Sequence, residues 1–278
     1  MKSKVMVVGL AMALVLAVGS QALAIQLVTL TDGDSTVEIA PESSAGMTLW
    51  EIGDTNHLNQ QWFWFRTSLG GVYDDREYSI DEISAPAINQ PVDYVAEITY
   101  ADNNIEAQVT YTLTDEPGLL GGSDLLEIVR VTNTSGEAMT LTFFQYSDFE
   151  LGGDPTDTDL AVAANSAAQK DTTKGALMSE TVVNLSNLVT SEVGYDSATL
   201  SKLTDGDIDN LDGTTLLIAD GDMTWAFQWE KELGPGEALL FSKNKHISIV
   251  PGGDNPVPEP AGLGLVGVAL LALRKRRK

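Results

Sequence analysis

LLEIVRVTNTSGEAMTLTFFQYSDFEL, residues Leu125 to Leu151, decides the fold class. Both halves follow the period-two pattern of half-buried strands and are rich in hydroxyl side chains. Asn133 to Glu137, between them, has the composition of a turn. The stretch therefore predicts a β-hairpin.

The same pattern extends outward in both directions. Upstream lie IQLVTLT (Ile25–Thr31), TVEIA (Thr36–Ala40), MTLWEI (Met47–Ile52) and QWFWFRT (Gln61–Thr67). YVAEITYA (Tyr94–Ala101) and NIEAQVTYTLTD (Asn104–Asp115) follow, joined by an Asp102-Asn103-Asn104 turn. Downstream, AAQKDTTKGALMSE (Ala167–Glu180) reads as a second hairpin, and Met223–Val250 gives two or three strands around Gly234-Pro235-Gly236. Ser179 to Leu203 departs from this pattern. Val182, Leu185 and Val189 have helical spacing, and Ser197 to Leu203 forms a further helical turn. These segments predict an all-β fold, mainly an antiparallel β-sandwich of roughly ten to fourteen strands with one or two short helices.

In QWFWFR, Trp62 and Trp64 point to one face of a strand while Phe63 and Phe65 point to the other. In TWAFQWE, Trp225, Phe227 and Trp229 share a face. Aromatics on both faces predict a strand covered on both sides. The competing reading makes Trp62, Trp64, Trp225 and Trp229 an exposed platform for stacking on sugar rings.

Both chain ends have their own character. MKSKVMVVGLAMALVLAVGSQALA, residues 1–24, has a basic start, an apolar run and small residues at Ala22 and Ala24, the pattern of a cleaved signal peptide. The mature chain is expected to begin near Ile25, outside the cytoplasm. At the other end, residues 251–256 form an extended linker, since proline fixes φ and cannot donate to a ladder. Val257-Pro258-Glu259-Pro260 follows, then an apolar run from Ala261 to Leu273 and the basic end Arg274, Lys275, Arg276, Arg277, Lys278. As a helix that run is about 20 Å long against a hydrocarbon core of roughly 30 Å. The terminal cations would hold its end on the cytoplasmic side. The organisation expected is thus a signal peptide at 1–24, a β-sandwich ectodomain at 25–250, a linker at 251–256 and a tail at 257–278, with helices at the two flanks.

The tail resembles the PEP-CTERM sorting domains handled by exosortases, matching all three of their parts in order and spacing. The resemblance implies transient residence in the inner membrane of a Gram-negative cell and processing at or near Pro258-Glu259-Pro260. Release to the cell surface or extracellular polysaccharide matrix would follow. FFQYSDFEL and ELGPGEALLFSK loosely resemble the sandwich ectodomains found ahead of such tails, which bring no activity with them.

Composition narrows the function. Of 16 basic residues, seven lie in the terminal signals, and one of the 40 acidic residues is Glu259. That leaves 9 basic against 39 acidic groups in the ectodomain and linker, a net charge of −30. Such a field repels phosphate backbones and anionic lipid, so nucleic acid is excluded as a partner. With no cysteine, the chain has no disulfide, thiol nucleophile or thiolate metal site.

Oxygen-rich loops suit a hard cation such as Ca²⁺. LTDGDIDNLDG brings Asp205, Asp207, Asp209 and Asp212 together in sequence, but Asn210 stands where an EF-hand loop needs glycine and Leu216 where it needs glutamate. Asp154, Asp157 and Asp159 form a second group. Both read equally as solvated turns. The two histidines, His57 and His246, stand near no nucleophile elbow, and their spacing gives no zinc pattern. Among forty acidic residues no carboxylate pair stands out, so no catalytic residue is assigned.

The expectation is therefore a non-catalytic exported protein, structural or adhesive in an exopolysaccharide or biofilm layer. It needs no cofactor beyond a role for Ca²⁺. Its partners are signal peptidase, an exosortase-type protease and extracellular polysaccharide. The alternative is a carbohydrate- or Ca²⁺-dependent binding module, and the third reading a polysaccharide-processing enzyme.

Overall fold

The computed structural model describes residues 26–116, 121–163, 165–183 and 187–249. The signal peptide, linker, sorting motif, apolar run and basic end lie outside these residues. No helix among the described residues is long and apolar enough to cross a membrane.

Two nine-stranded sheets pack face to face. The first contains β1 (Val28–Asp32), β2 (Ser35–Ala40), β3 (Gly46–Ile52), β4 (Thr55–Asn56), β5 (Gln60–Thr67), β6 (Tyr78–Ser79), β11 (Met139–Asp148), β15 (Leu188–Tyr195) and β17 (Met223–Leu233). Its order is β1-β2-β3-β5-β11-β17-β15, with β4 beside β3 and β6 beside β5. The second contains β7 (Ala87–Val92), β8 (Val95–Ala101), β9 (Ile105–Asp115), β10 (Gly122–Asn133), β12 (Asp157–Ala163), β13 (Ser166–Asp171), β14 (Ala176–Val183), β16 (Leu216–Gly221) and β18 (Ala238–Ile249). Its order is β16-β12-β13-β14-β18-β10-β9-β8-β7. Pairing is antiparallel except where Gly46 and Met47 run parallel to Gln61. Gly46 has φ +62°, and a β-carbon there would stand 2.2 Å from the Trp62 ring, so only glycine fits this crossing.

The all-β sandwich is as expected. It has eighteen strands among the described residues against the ten to fourteen expected: β4 and β6 are too short to show alternation, and β15 lies where the spacing is helical.

The predicted hairpin at Leu125–Leu151 is not a hairpin. β10 pairs with β9 and β18 in the second sheet, whereas β11 pairs with β5 and β17 in the first. The turn crosses the sandwich. Asn133 fixes the crossing: its Nδ2 donates to Glu137 O at 2.8 Å and to Leu233 O at 3.0 Å, and its N–H donates to Glu237 O at 2.9 Å. The neighbouring β17–β18 link crosses at the same place, so the two arches are stapled together by one buried amide.

The hairpins at Asp102–Asn104 and at Asp171–Ala176 form as read. Of the helical segments, the later forms, as α1 (Ala198–Thr204), while Leu185 of the earlier lies outside the described residues. Val182 and Val189 lie instead on β14 and β15, since sheet pairing with β18 and β17 overrides a helical spacing of three residues.

Between the sheets, aromatics fill one region. Trp229 stacks on Phe241 with centroids 4.3 Å apart, and Phe143 lies against Phe241, Phe63 and Trp229. Beside this block is a sealed charged layer. Lys243 pairs with Glu127, and its Nζ lies 3.7 Å from Glu180; Lys245 lies 2.8 Å from Glu127 and donates to Gln61 Oε1 at 3.0 Å. All four charged side chains are inaccessible to water. Burial drives Lys243 down to about 8. Burial works to raise the Glu127 carboxyl, but the two lysines outweigh it and hold it below its usual range.

The two sheets differ in their outer faces. On the first, β5, β11 and β17 are buried almost continuously. Trp62 Nε1 donates to Ser79 Oγ at 2.9 Å, Leu211 N–H donates to Gln228 Oε1 at 3.0 Å, and Asp212 N–H donates to Glu192 Oε2 at 2.7 Å. These bonds clamp the Ser79 and Leu211–Asp212 segments over that face. On the second sheet, β9, β10, β14 and β18 alternate between buried and accessible positions, except at some strand ends. Its outer face is open.

Candidate functional site

Antiparallel register arranges the open face of the second sheet in rows. One row reads Ser179, His246, Asp124, Thr114 across β14, β18, β10 and β9. The next reads Thr181, Asn244, Leu126, Thr112. Strands about 4.8 Å apart put the side chains in each row in direct contact range. The result is a shallow surface of hydroxyls and amides with Leu126 and Ile128 exposed among them.

At one end of this surface stand three groups with proton chemistry. His246 Nδ1 lies 3.3 Å from Asp124 Oδ1, and Asn244 Nδ2 donates to the same oxygen at 3.3 Å. Glu116 follows β9 directly and reaches Asp124, with Gly122 beneath its carboxylate, where a β-carbon would stand 3.4 Å from Oε2. One atom from each of Glu116, Asp124 and His246 lies within 4.8 Å of the others.

Interaction with Asp124, with some burial, raises the Glu116 carboxyl above its usual range. Burial pushes Asp124 upward, but its bonds to His246, Glu116 and Asn244 prevail and keep it below its usual range. The bond to Asp124 raises His246 in turn. The cluster thus sets a carboxyl raised in pKa, a carboxylate lowered in pKa and an imidazole side by side, all partly open to water. Among the described residues it is also the one set of three such groups spaced to surround a cation. However, its members already satisfy one another.

The residues singled out from the sequence lie elsewhere. Trp62, Trp64, Trp225 and Trp229 are all in the core, which corrects the platform reading: both faces of the first sheet are covered. The Asp205–Asp212 loop does not close on a common centre. Asp205 Oδ1 accepts from Asp207 N–H, Asp209 is held through its backbone by Arg66 and Glu77, and Asp212 is 3.6 Å from Lys202. His57 is buried, with Nδ1 accepting from Gly152 N–H at 3.0 Å. In the second acidic group, Asp157 is buried while Asp154 pairs with Lys174 at 3.4 Å. His246 was visible as a residue, but Asp124 and Glu116 gave no signal. Asp124 lies 122 positions from His246 in the chain, and only the β10–β18 pairing brings them together.

No family model matches the chain, and no curated protein matches its sequence. Solved structures do share the fold. A bacterial glucoamylase complexed with acarbose is similar over 79% of this chain and 31% of its own, at 9% identity and a TM-score of 0.56. A putative aldose 1-epimerase from Escherichia coli is similar over 81% of this chain and 99% of its own, at 11% identity and 0.54. A Synechocystis protein is similar over 82% and 97%, at 11% identity and 0.53. The chain thus spans about a third of the glucoamylase chain, but nearly the whole of the other two. At these identities the likeness is one of fold.

That likeness corrects two expectations, that of a non-catalytic structural or adhesive matrix protein and that of a chain without catalysis. Alternating strands announce a sandwich but not its strand order. The fold built by that order is one this chain shares with a glucoamylase complexed with acarbose and a putative aldose 1-epimerase.

Proposed function

We propose that this chain is a carbohydrate-processing enzyme whose chemistry is proton transfer to and from a sugar on the open face of the second sheet. The observation carrying this reading is the Glu116–Asp124–His246 cluster, set at the end of a hydroxyl- and amide-lined surface. Glu116 supplies a proton and His246 accepts one, with Asp124 orienting the imidazole and stabilising its charged form.

Glycoside hydrolysis fits this cluster poorly. It needs two carboxyls about 5–10 Å apart on either side of the scissile bond. Glu116 and Asp124 bring oxygens within 4.8 Å of each other, leaving no room for a sugar between them. Acid–base exchange at an anomeric hydroxyl and ring oxygen needs only a donor and an acceptor side by side, as here. The terminal signals, by their resemblance, would direct this activity outside the inner membrane.

The test is anomer interconversion of free aldoses by the full chain, followed by polarimetry or exchange NMR. His246→Gln and Glu116→Gln should each lower the rate by about 100-fold or more. The Asp205→Asn control should leave it unchanged. Full activity in both site variants would remove the cluster from the chemistry.

A further inference from the structure

A second group of acids lies inside the sandwich, apart from the open face. Asp148 ends β11, Asp157 opens β12, and Gln169 and Asp171 close β13. Asp157, Gln169 and Asp171 are fully buried, and Asp148 nearly so. Each of the three aspartates has one oxygen committed and one left over. Asp171 Oδ1 accepts from Thr173 N–H at 2.7 Å and from Thr173 Oγ1 at 2.6 Å, leaving Oδ2 without a donor. Asp148 Oδ2 accepts from Asn59 Nδ2 at 2.9 Å, leaving Oδ1. Asp157 Oδ2 accepts from Gln169 Nε2, leaving Oδ1.

Gln169 is the telling member, because it is neutral. Its Nε2 donates both to Asp157 and to Phe149 O, the latter at 2.7 Å, so two acceptors fix the orientation of the amide. Turning it over would put oxygen against oxygen. Its Oε1 is therefore left buried and without a donor, on the amide whose nitrogen is held by Asp157. Half-buried Asp222 adds a further unpartnered oxygen, Oδ1. No lysine or arginine among the described residues pairs with any of these acids; Lys174 is taken by Asp154, and Lys243 by Glu127.

Buried acceptors without donors are costly, and adjacent buried carboxylates repel. A hard cation relieves every one of these deficits together. We infer that Asp157, Asp171 and the Gln169 amide oxygen bind Ca²⁺ at this end of the sandwich, with Asp148 and Asp222 reaching it through water. No three of these carboxylates bring oxygens within 4.8 Å of one another, which sets the division between direct and water-bridged ligands. Ca²⁺ suits such a set because it accepts six to eight oxygens, water included, in adaptable geometry, whereas Mg²⁺ demands a near-ideal octahedron.

The experiment uses the full chain stripped with chelator, then titrated with Ca²⁺ or Mg²⁺ during thermal unfolding. Ca²⁺ at a hundredfold excess over Kd should raise Tm by about 5–10 °C, and Mg²⁺ by far less. Asp157→Asn and Asp171→Asn should abolish the response, while Asp205→Asn with Asp207→Asn should keep it. Should the core variants fail to fold, Tb³⁺ luminescence of the parent is the second readout. Trp225, stacked on Phe149, is placed to sensitise it, and Ca²⁺ should quench it by displacement. Equal Ca²⁺ stabilisation in parent and core variants would overturn the inference in favour of diffuse surface binding. So would the absence of both a Tm shift and a Tb³⁺ signal at millimolar ion, leaving a proton on Asp157 as the solution to its burial.

Discussion

Replacing Glu127 with glutamine keeps the shape of the sealed charged layer and removes one of its charges. The parent layer is neutral, with Lys243 and Lys245 balanced by Glu127 and Glu180. In the variant two ammonium groups would share Glu180, whose carboxylate is 3.7 Å from Lys243. An uncompensated charge would then be trapped where water cannot reach it. Breaking a buried pair in this way costs about 3–5 kcal/mol. For a domain of this size that lowers Tm by roughly 10 °C. Urea unfolding followed by tryptophan fluorescence would measure it, since all five tryptophans are buried.

The pH dependence has a definite sign. Lys243 already loses its proton more easily in the folded state, at about 8, than in the unfolded chain. Between those two values the unfolded state binds more protons, so this group adds stability as pH rises. Losing Glu127 would lower the lysine further, and the deficit of the variant should shrink between pH 7 and pH 9.5. Adding Lys243→Met to Glu127→Gln should recover much of the loss. A cost under about 1 kcal/mol at pH 7, or a deficit independent of pH, would refute the view that these charges are desolvated and interdependent.

Two further outcomes are expected. Trp229→Ala, which empties the stack on Phe241 between the sheets, should cost about 3–5 kcal/mol in denaturant unfolding, and a loss below about 1 kcal/mol would contradict its core role. Burial lowers His57 to about 4, so its contribution is present above the unfolded value near 6.5 and is lost as pH falls through 4. The stability gap between parent and His57→Gln should therefore narrow by about 2 kcal/mol from pH 7 to pH 5; parallel curves would show that the imidazole is free to take up its proton.

The sequence by itself determined most of the strands and which of their side chains face inward, but not the strands around Val182 and Val189, whose helical spacing the sheet overrides. Alternation through Leu125, Val129 and Val131 fixes the inner face of β10, just as Leu239, Phe241 and Ile247 fix that of β18. The same parity places Glu127, Lys243 and Lys245 inside, a signal present in the sequence but easily discounted for charged residues. The doubly aromatic QWFWFR likewise announced a strand covered on both faces. Only the tertiary structure decided which strands are neighbours. A turn at Asn133–Glu137 suits either a hairpin or an arch, because local composition sets the bend and not the sheet that receives the next strand. That choice rests on contacts far apart in the chain, such as Asn133 with Leu233 and Trp229 with Phe241. Asp124 opposite His246 and Asp157 beside Gln169 depend on that choice, so both candidate sites became visible only with the register of the second sheet.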